Sequence, residues 1–355
     1  MKTPKANQSQ EKPASRLFSG EALPAANYRR LVVDIIGTIL IALMLNFAAY
    51  FYLKNYSTNY GYWVLGQKWS LLEEMNEPAE WLILGDSSCN QGVIPSLFEQ
   101  NFGGNAVNLC TIGNMTLVND LWMLERYIQR FGPPENVVIV HVHDMWSRDF
   151  SAYLLGHIPL RWRFWEDFLL NQEIVPSSEI AQEIFKERYY PLNSQSQTLS
   201  DILKESFWLE RNPFKRPFVL DADGYFSAEE AKPEIVEAGK DQHLAMISEQ
   251  PFFISYINGR ALQEIMKLAE EYQFDVYLVT SPLYEGLLAD ESFRAYLDSM
   301  LAILGESAAQ SDKLHLITEI KGFPAELMQN PDHLIRPGAE IYTAWLIERI
   351  KEIIQ

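Results

Sequence analysis

A long apolar run near the N-terminus limits the architectures open to this chain. Residues 31–53 read LVVDIIGTILIALMLNFAAYFYL, with Asp34 as the only charged residue. As a helix rising about 1.5 Å per residue, the run would extend about 34 Å, enough to cross the hydrocarbon core of a bilayer. Because the run is this long and apolar on all sides, we predict a transmembrane helix rather than a buried helix of a soluble domain.

The residues on either side of this run predict its orientation. Residues 1–30 are polar and contain lysine and arginine, which predicts a disordered cytoplasmic tail. Aromatic residues that suit a membrane interface follow at 50–52, 56, 60, 62 and 63. A cleaved signal peptide is the alternative, but its apolar core would be about 7–15 residues and a small-residue cleavage site would follow. We therefore expect a single-pass anchor in the cell (inner) membrane, with the chain after residue 54 facing the periplasm or exterior.

The rest of the chain alternates short apolar runs with amphipathic stretches. Apolar runs bounded by turn residues are typical of strands in a parallel sheet, and amphipathic stretches between them are typical of crossover helices. We predict an α/β domain over residues 54–355, a three-layer sandwich around a parallel, flavodoxin-like sheet. The predicted strands cover residues 82–84, 106–109, 137–142, 276–279 and 314–317. The predicted helices cover residues 93–102, 116–131, 262–272 and 291–304, with a last helix starting near residue 337.

The segment at about 145–255 interrupts this alternation. It is rich in tryptophan, phenylalanine and proline, and Asp-Ala-Asp-Gly at 221–224 predicts a turn. We predict a mainly helical insertion with one hairpin, lying over the carboxyl ends of the strands. Two roles are open for it: a lid that binds substrate or the membrane, and a cap that only packs against the sheet.

The first predicted strand ends abruptly at Gly85, Asp86 and Ser87. The carboxyl edge of a parallel sheet is where α/β proteins bind their ligands, and a sharp turn there can present a serine hydroxyl to a substrate. Gly85 would permit the turn, and Asp86 and Asn90 are candidate caps of the helix that follows. The motif alone is more typical of an ordinary strand-to-helix turn, so its interpretation depends on a second block of residues.

That second block is Asn330-Pro331-Asp332-His333, just before the predicted last helix. A histidine suits the exchange of a proton with a serine and a leaving group, because its pKa lies near neutrality. Gly-Asp-Ser after an early strand, with Asp-His before a last helix, resembles the SGNH (GDSL-type) hydrolase and acyltransferase superfamily. The resemblance covers roughly residues 78–355, with the insertion in the middle.

The resemblance implies a catalytic role for several residues. Ser87 matches the nucleophile of the superfamily, with Ser88 as the alternative, and His333 matches the general base. The superfamily has an aspartate three positions before the histidine, where this chain has Asn330. Four outcomes are open: Asp332 replaces that aspartate, Asn330 orients the ring through its amide, serine and histidine act as a dyad, or catalysis is impaired.

The resemblance also implies donors for an oxyanion. These are the backbone N–H of Ser87 and the second block of the superfamily, which falls on Gly113 with Asn114 beside it. The third block, Gly-x-Asn-Asp, is His-Val-His-Asp here, with His143 where the asparagine donor belongs. His141 and His143 would point to one side of a strand, which also suggests a metal site. No further shared ligand is evident, and a buried core histidine is the simpler interpretation of His141.

Charge and cysteine content narrow the class of protein further. The net charge of -18 does not favour a nucleic-acid partner, which would require basic patches. Cys89 and Cys110 fit neither a disulfide scaffold nor a zinc cluster, and we expect two buried free thiols, with pairing in an oxidising compartment as the alternative. We predict no metal and no cofactor.

The anchor and the resemblance together imply an enzyme of the cell envelope. Outward-facing members with a single span are similar to the alginate O-acetyltransferases and to the D-alanyl transfer protein of teichoic acid assembly. This implies transfer or removal of an acyl group on an envelope polysaccharide or lipid-linked glycan, with a membrane-bound O-acyltransferase as the implied partner. The competing hypothesis, motivated by Asn330 and His143, is a catalytically weak scaffold that binds glycan or a membrane partner.

Overall fold

The structure of the protein is a computed structural model. The structure describes residues 25–56, 60–174, 177–208, 212–214, 219–249 and 251–355. Most of the tail predicted over residues 1–30 lies outside these ranges. Within them the chain divides between Phe47 and Ala48 into two compact units.

The elements alternate between strands and helices, with a helical segment in the middle of the chain. The helices are α1 (Ala25–Tyr56), α2 (Tyr60–Glu74), α3 (Ser87–Gly92), α4 (Pro95–Phe102), α5 (Thr116–Phe131), α6 (Asn171–Ile174), α7 (Ser178–Tyr189), α8 (Pro191–Ser194), α9 (Ser196–Phe207), α10 (Pro233–Glu249), α11 (Tyr256–Tyr272), α12 (Glu285–Leu288), α13 (Glu291–Ala308) and α14 (Arg336–Ile354). The strands are β1 (Trp81–Gly85), β2 (Ala106–Asn108), β3 (Asn136–His141), β4 (Asp275–Thr280), β5 (Leu283–Tyr284), β6 (Leu314–Ile317), β7 (Gly322–Phe323), β8 (Met328–Asn330) and β9 (His333–Leu334).

Helix α1 is long and apolar enough to cross a membrane over Tyr28–Tyr56. Its length and its position near the N-terminus also fit a signal sequence. None of the side chains in its most apolar stretch is buried, as expected of a helix whose surroundings are lipid. The helix starts at Ala25, so the described residues 25–30 are helical rather than part of a tail.

The core of the second unit is a parallel sheet of five strands in the order β2-β1-β3-β4-β6. Alternate side chains of each strand enter two separate hydrophobic clusters: Leu82 and Leu84 of β1 face one, and Trp81 and Ile83 face the other. Helices α5, α11 and α13 supply the first cluster, and α3, α4 and α14 supply the second. The unit is therefore a mixed α/β domain with helices on both faces of a parallel sheet.

The strand order of the sheet reverses between β1 and β3. From β1 the chain moves outward to β2, then returns to add β3 on the opposite side of β1. The loops that follow β1 and β3 therefore diverge and leave a crevice at the carboxyl edge, where open α/β sheets bind ligands. Gly85, with φ of +145°, closes β1 at this crevice, and a Cβ there would lie 2.0 Å from the Val140 carbonyl oxygen. Only glycine permits this close approach of β1 and β3.

The segment between β3 and α11 contains α6 to α10 and a short hairpin. The hairpin is formed by the antiparallel bridge between Leu220 and Phe226, and it encloses the turn predicted at residues 221–224. Buried Lys68 of α2 donates hydrogen bonds to the carbonyls of Asn108 (2.7 Å) and Gly224 (2.6 Å), so the hairpin is held at the carboxyl end of β2.

Two expectations about the region after β1 need correction. Residues 87–92 form a helix of their own, α3, which has too few residues for a periodic pattern to reveal it. Cys89 in this helix and Cys110 after β2 are joined in a disulfide, with Cα atoms 5.8 Å apart, so the expectation of free thiols was wrong. The pairing joins α3 to the loop after β2.

Candidate active site

Ser87 occupies the first position of α3, at the carboxyl end of β1. Asp86 is the N-cap of this helix, and its Oδ1 accepts a hydrogen bond from the backbone N–H of Ser88 at 2.9 Å. Ser87 is half-buried, and within the described residues its hydroxyl makes no hydrogen bond. The turn therefore leaves one serine hydroxyl at the crevice without a protein partner.

Ser88, the alternative nucleophile, is placed differently. It is fully buried, and its hydroxyl donates to Asp86 Oδ1 at 2.5 Å. A hydroxyl that is buried and already bonded to a carboxylate is not presented to a substrate. The geometry therefore distinguishes between the two serines and leaves Ser87 as the accessible one.

His333 starts β9 and is held from one side by two residues of its own loop. Its Nδ1 lies 2.8 Å from Asp332 Oδ1 and 2.8 Å from Asn330 Oδ1. Its Nε2 has no hydrogen-bond partner among the described residues. Burial disfavours the imidazolium, but the Asp332 carboxylate outweighs this effect and raises the pKa of His333 above its usual value.

The fold brings the serine and histidine segments together. β9 packs against α3, and α14 packs against the same helix. Thr343 of α14 fixes this contact, because its hydroxyl donates to the Gly92 carbonyl and accepts from the Ile94 N–H, each at 3.1 Å. No hydrogen bond joins Ser87 to His333 in the part of the chain that the structure describes.

Gly113 and Arg148 meet at the same crevice. Gly113 opens a short 3-10 helix after β2, and a Cβ on it would lie 2.4 Å from Nη1 of Arg148 and 3.9 Å from Cβ of Asp86. Ser87 and Gly113 are each the first residue of a helical turn, and the backbone N–H of such a residue has no partner within its own helix. Asn114 follows with an exposed side chain. Within the described ranges neither N–H has a backbone partner, and Gly113 lies beside both the Arg148 guanidinium and Asp86, the residue before Ser87.

Arg148 was not identified from the sequence. Its Nη2 bonds Asp144 Oδ2 at 2.6 Å, which leaves Nη1 directed at Gly113. Burial opposes the charge of Arg148, but Asp144 outweighs it and raises the pKa, so the guanidinium is cationic. The sequence feature that could have identified it is the i, i+4 spacing of Asp144 and Arg148 after the third strand, which is typical of an ion pair.

His143 is fully buried behind this loop rather than open to it. Burial lowers the pKa of His143 to about 4, so its ring is neutral near neutral pH. Its Nε2 lies 3.5 Å from Nδ1 of His243 on α10, and its Nδ1 has no partner in the described ranges. His243 was also missed, because its helix belongs to the insertion and no sequence pattern relates it to β3.

His141, two residues earlier, belongs to a different network. Its Nε2 lies 2.5 Å from Asp120 Oδ2 and its Nδ1 3.3 Å from Asp86 Oδ2. Burial disfavours the imidazolium, but the two carboxylates outweigh it and raise the pKa of His141 to about 9. His141 and His143 therefore contact different partners, and no group of three potential metal ligands occurs among the described residues. His141 is a satisfied core histidine.

A cavity of about 300 Å³ opens beside Arg148. Asp144, Ser147 and Arg148 line one part of it. The remaining lining is apolar or aromatic and comes from α10, the segment after it and α13: Met246, Ile247, Pro251, Phe253 and Tyr296. The cavity thus combines one charged wall near the crevice with an aromatic wall from the insertion and α13.

Comparisons with known proteins give only distant structural likeness. No protein-family model matches the chain, and no curated protein matches it. Among solved structures, the chain is similar to one described as "a putative platelet activating factor from Streptococcus pneumonia". The sequence identity is 11%, the TM-score is 0.36, and the match covers 84% of this chain and 95% of the other.

Proposed function

We propose that the chain is a membrane-anchored SGNH-type serine O-acyltransferase or esterase that forms an acyl-enzyme at Ser87. The observation that carries the proposal is that the packing of β9 against α3 brings the Ser87 and His333 segments together at one crevice. Among the described residues, the Ser87 hydroxyl and Nε2 of His333 have no hydrogen-bond partner, while Nδ1 of His333 is held by Asp332. The strand order, with the crevice between β1 and β3, supports a flavodoxin-like sheet of the SGNH type.

In the proposed reaction, Ser87 attacks the carbonyl carbon of an ester while its hydroxyl proton passes to Nε2 of His333. The ester C–O bond breaks, and the same proton moves from Nε2 to the leaving alcohol oxygen. A water molecule or a sugar hydroxyl then attacks the acyl-Ser87 carbonyl and gives its proton to Nε2 of His333. The bond between the acyl carbon and Ser87 Oγ breaks, and the proton returns from His333 to Oγ. Water leads to hydrolysis, and a sugar hydroxyl leads to acyl transfer.

Asp332 and Asn330 divide the task of holding His333. Both oxygens lie 2.8 Å from Nδ1, so this nitrogen carries the hydrogen and Nε2 is the basic atom. Asp332 supplies the negative charge that stabilises the imidazolium, and Asn330 supplies an acceptor without charge. We therefore assign the orienting role to Asp332, with Asn330 in support, although the superfamily has its aspartate at the position of Asn330.

The negative charge on the carbonyl oxygen needs donors that are already in place. We assign this role to the backbone N–H groups of Ser87 and Gly113, and to the guanidinium of Arg148. Arg148 takes the place of the superfamily's asparagine, because Nη1 lies against Gly113 and is not engaged by Asp144. His143, with a neutral ring and full burial, supports the loop from behind.

The substrate and location follow from the anchor and the resemblance. We infer an acyl group on an envelope polysaccharide or lipid-linked glycan, with a membrane-bound O-acyltransferase as partner. The cavity beside Arg148 is lined partly by Phe253 and Tyr296, which offer the aromatic surface on which sugar rings stack. The Cys89–Cys110 disulfide supports an oxidising compartment, and hence a catalytic domain outside the cytoplasm.

One experiment tests the acyl-enzyme and the orientation together. Spheroplasts that express the full chain would be treated with a membrane-impermeant fluorophosphonate probe. We expect labelling of the wild-type protein and none of Ser87→Ala. Ser292→Ala is the control, because Ser292 also lies in the first turn of a helix with an aspartate N-cap, but it is exposed on α13 and its hydroxyl donates to Asp290 at 2.5 Å. Labelling only after lysis would place the domain in the cytoplasm.

The missing hydrogen bond between Ser87 and His333 favours a second candidate, a scaffold that binds glycan or a membrane partner without catalysis. Catalytic hydrogen bonds are often long in unliganded enzymes, so this observation alone does not exclude the enzyme. The scaffold predicts that neither intact nor lysed spheroplasts label the folded wild-type protein. It also predicts that Ser87→Ala preserves the cellular phenotype.

A further inference from the structure

The insertion exposes a patch of large apolar side chains, which we call the insertion patch. It consists of Leu203 and Phe207 on α9, Trp208 directly after it, and Phe214 and Val219, all 68–79% exposed. Leu203 and Phe207 lie one turn apart on the same face of α9, which is also apolar at Leu199. A soluble surface rarely gathers so many large apolar side chains, and such gatherings mark an interaction site.

This patch is continuous with the end of the candidate membrane helix. The Tyr52 hydroxyl donates to the Pro213 carbonyl at 2.6 Å. The ring of Phe214 packs edge-on against Tyr52 and Tyr56, with centroids 6.1 and 5.8 Å apart. These residues all belong to the second unit, whose first residues are the last turns of α1. The point at which the chain would leave a bilayer is therefore also a point of contact with the insertion.

The chain itself limits the distance between α9 and this contact. Only residues 209–211 separate Trp208 from Asn212. Four residue steps of about 3.3–3.6 Å each keep Trp208 within about 14 Å of Asn212. The exposed end of α9 is thereby kept close to the end of α1, within reach of the headgroup layer.

The charge of the neighbouring sequence fits an anionic lipid surface. Arg211, Lys215 and Arg216 surround Phe214 in the sequence, in a chain whose net charge is -18. Basic residues beside aromatic ones are typical of segments that bind the headgroup region, where tryptophan and phenylalanine enter the boundary with the acyl chains. The contact of Phe214 with the end of α1 favours the lipid surface over another copy of this chain as the occupant.

We propose that the insertion patch docks on the bilayer into which α1 is inserted, with its aromatic side chains in the headgroup layer of the leaflet on the C-terminal side of α1. The proposal rests on α1 being a membrane anchor and does not depend on catalysis. Docking gives the catalytic domain a second point of attachment. It fixes the height of the crevice above the lipid surface instead of leaving the domain to rotate on one helix.

The test uses the full chain in vesicles of phosphatidylcholine with a minor fraction of phosphatidylglycerol. An environment-sensitive fluorophore is attached to Phe207→Cys, with Leu203→Cys as a second patch position. Both native cysteines are buried in their disulfide and do not compete for the label. Tyr256→Cys on α11 is the matched control, because Tyr256 is an aromatic side chain with 73% exposure outside the patch. Leu43→Cys reports whether α1 is inserted.

We expect the labels at Phe207 and Leu203 to be quenched several-fold more by nitroxide-bearing lipids than the label at Tyr256, and to be protected from aqueous iodide. In phosphatidylcholine alone, this lipid quenching should weaken. Iodide quenching at Phe207 equal to that at Tyr256 would overturn the proposal, as would protection from iodide without lipid quenching, which indicates a protein partner. If lipid quenches neither the patch labels nor the Leu43 label, α1 is not inserted and the anchor is wrong as well. If lipid quenches the Leu43 label but not the patch labels, α1 is inserted and only the docking proposal is wrong.

Discussion

Two histidines of this protein are held by carboxylates, but they differ in how many of their ring nitrogens are bonded. His141 lies between Asp86 and Asp120, with both ring nitrogens engaged and 2% of its side chain exposed. In the part of the chain that the structure describes, His333 is engaged at Nδ1 alone, by Asp332 and Asn330, and keeps 13% of its side chain exposed. The carboxylates raise the pKa of both rings.

The comparison separates a structural histidine from one suited to catalysis. A ring with both nitrogens bonded cannot exchange a proton with a substrate unless it gives up a partner. A ring with one bonded nitrogen is held in one orientation and still presents the other nitrogen. The sequence around His141 and His333 does not show this difference, because it depends on which side chains the fold brings to each ring nitrogen.

Removing the base should have the largest effect. We expect His333→Gln to lower the rate of fluorophosphonate labelling and of p-nitrophenyl acetate hydrolysis by about 10²–10⁴-fold, because glutamine cannot take the serine proton. Glutamine can still donate to Asp332, so the melting temperature should change little. A variant that keeps its activity would show that His333 does not act as the base.

The same substitution at His141 should act on stability instead. His141→Gln removes the positive charge between the buried carboxylates of Asp86 and Asp120. We expect it to lower the free energy of unfolding by about 3–5 kcal/mol, because an ion pair in the interior loses one partner. Denaturant titration of the two glutamine variants side by side measures this, and equal stabilities would contradict the comparison.

The pH dependence of stability gives an independent check on His141. Its pKa is raised from 6.5 to about 9 in the folded state, so the stabilisation is complete below pH 6.5 and is lost as the pH rises through about 9. The wild-type protein should therefore lose stability over this range, and His141→Gln should lose less. Parallel curves for the two proteins would mean that His141 is not charged in the fold.

Substitutions of the two residues that hold His333 should shift its pKa in opposite directions. Activity requires the neutral ring, so it falls as the pH drops below the raised pKa of His333. Asp332→Asn removes the carboxylate and should move this acidic limb to lower pH, whereas Asn330→Asp should move it to higher pH. The pH profile of kcat/KM measures both, and unchanged profiles would assign the limb to another group.

Much of the fold could be predicted because its signals are local. Helix Thr116–Phe131 and strand Leu314–Ile317 have the predicted bounds, since each residue pattern is interrupted by turn residues at its ends. The strand predicted at 82–84 is one residue longer at each end, at Trp81 and Gly85. Helix α3 escaped prediction because its six residues are mostly polar and too few to show an apolar face at helical spacing.

The candidate site was only partly predictable, for a different reason. Ser87, Gly113 and His333 come from sequence blocks, and the structure supplied their surroundings. Ser88 was a candidate until its burial and its bond to Asp86 were known. Arg148 emerged only from its contact with Gly113, because its sequence context shows a pair with Asp144 but not which loop its second nitrogen reaches.

The sequence by itself determined the apolar helix near the N-terminus, the alternation of strands and helices, and the two blocks around Ser87 and His333. These depend on periodicity, turn residues and apolar runs, which act over a few neighbouring positions. Only the tertiary structure decided the partners of each histidine. Asp86, Asp120 and His141 lie on different elements, and the distances among them arise when β1, α5 and β3 pack together. Whether a ring nitrogen is bonded or free depends on that packing, and the order of residues along the chain carries no measure of it.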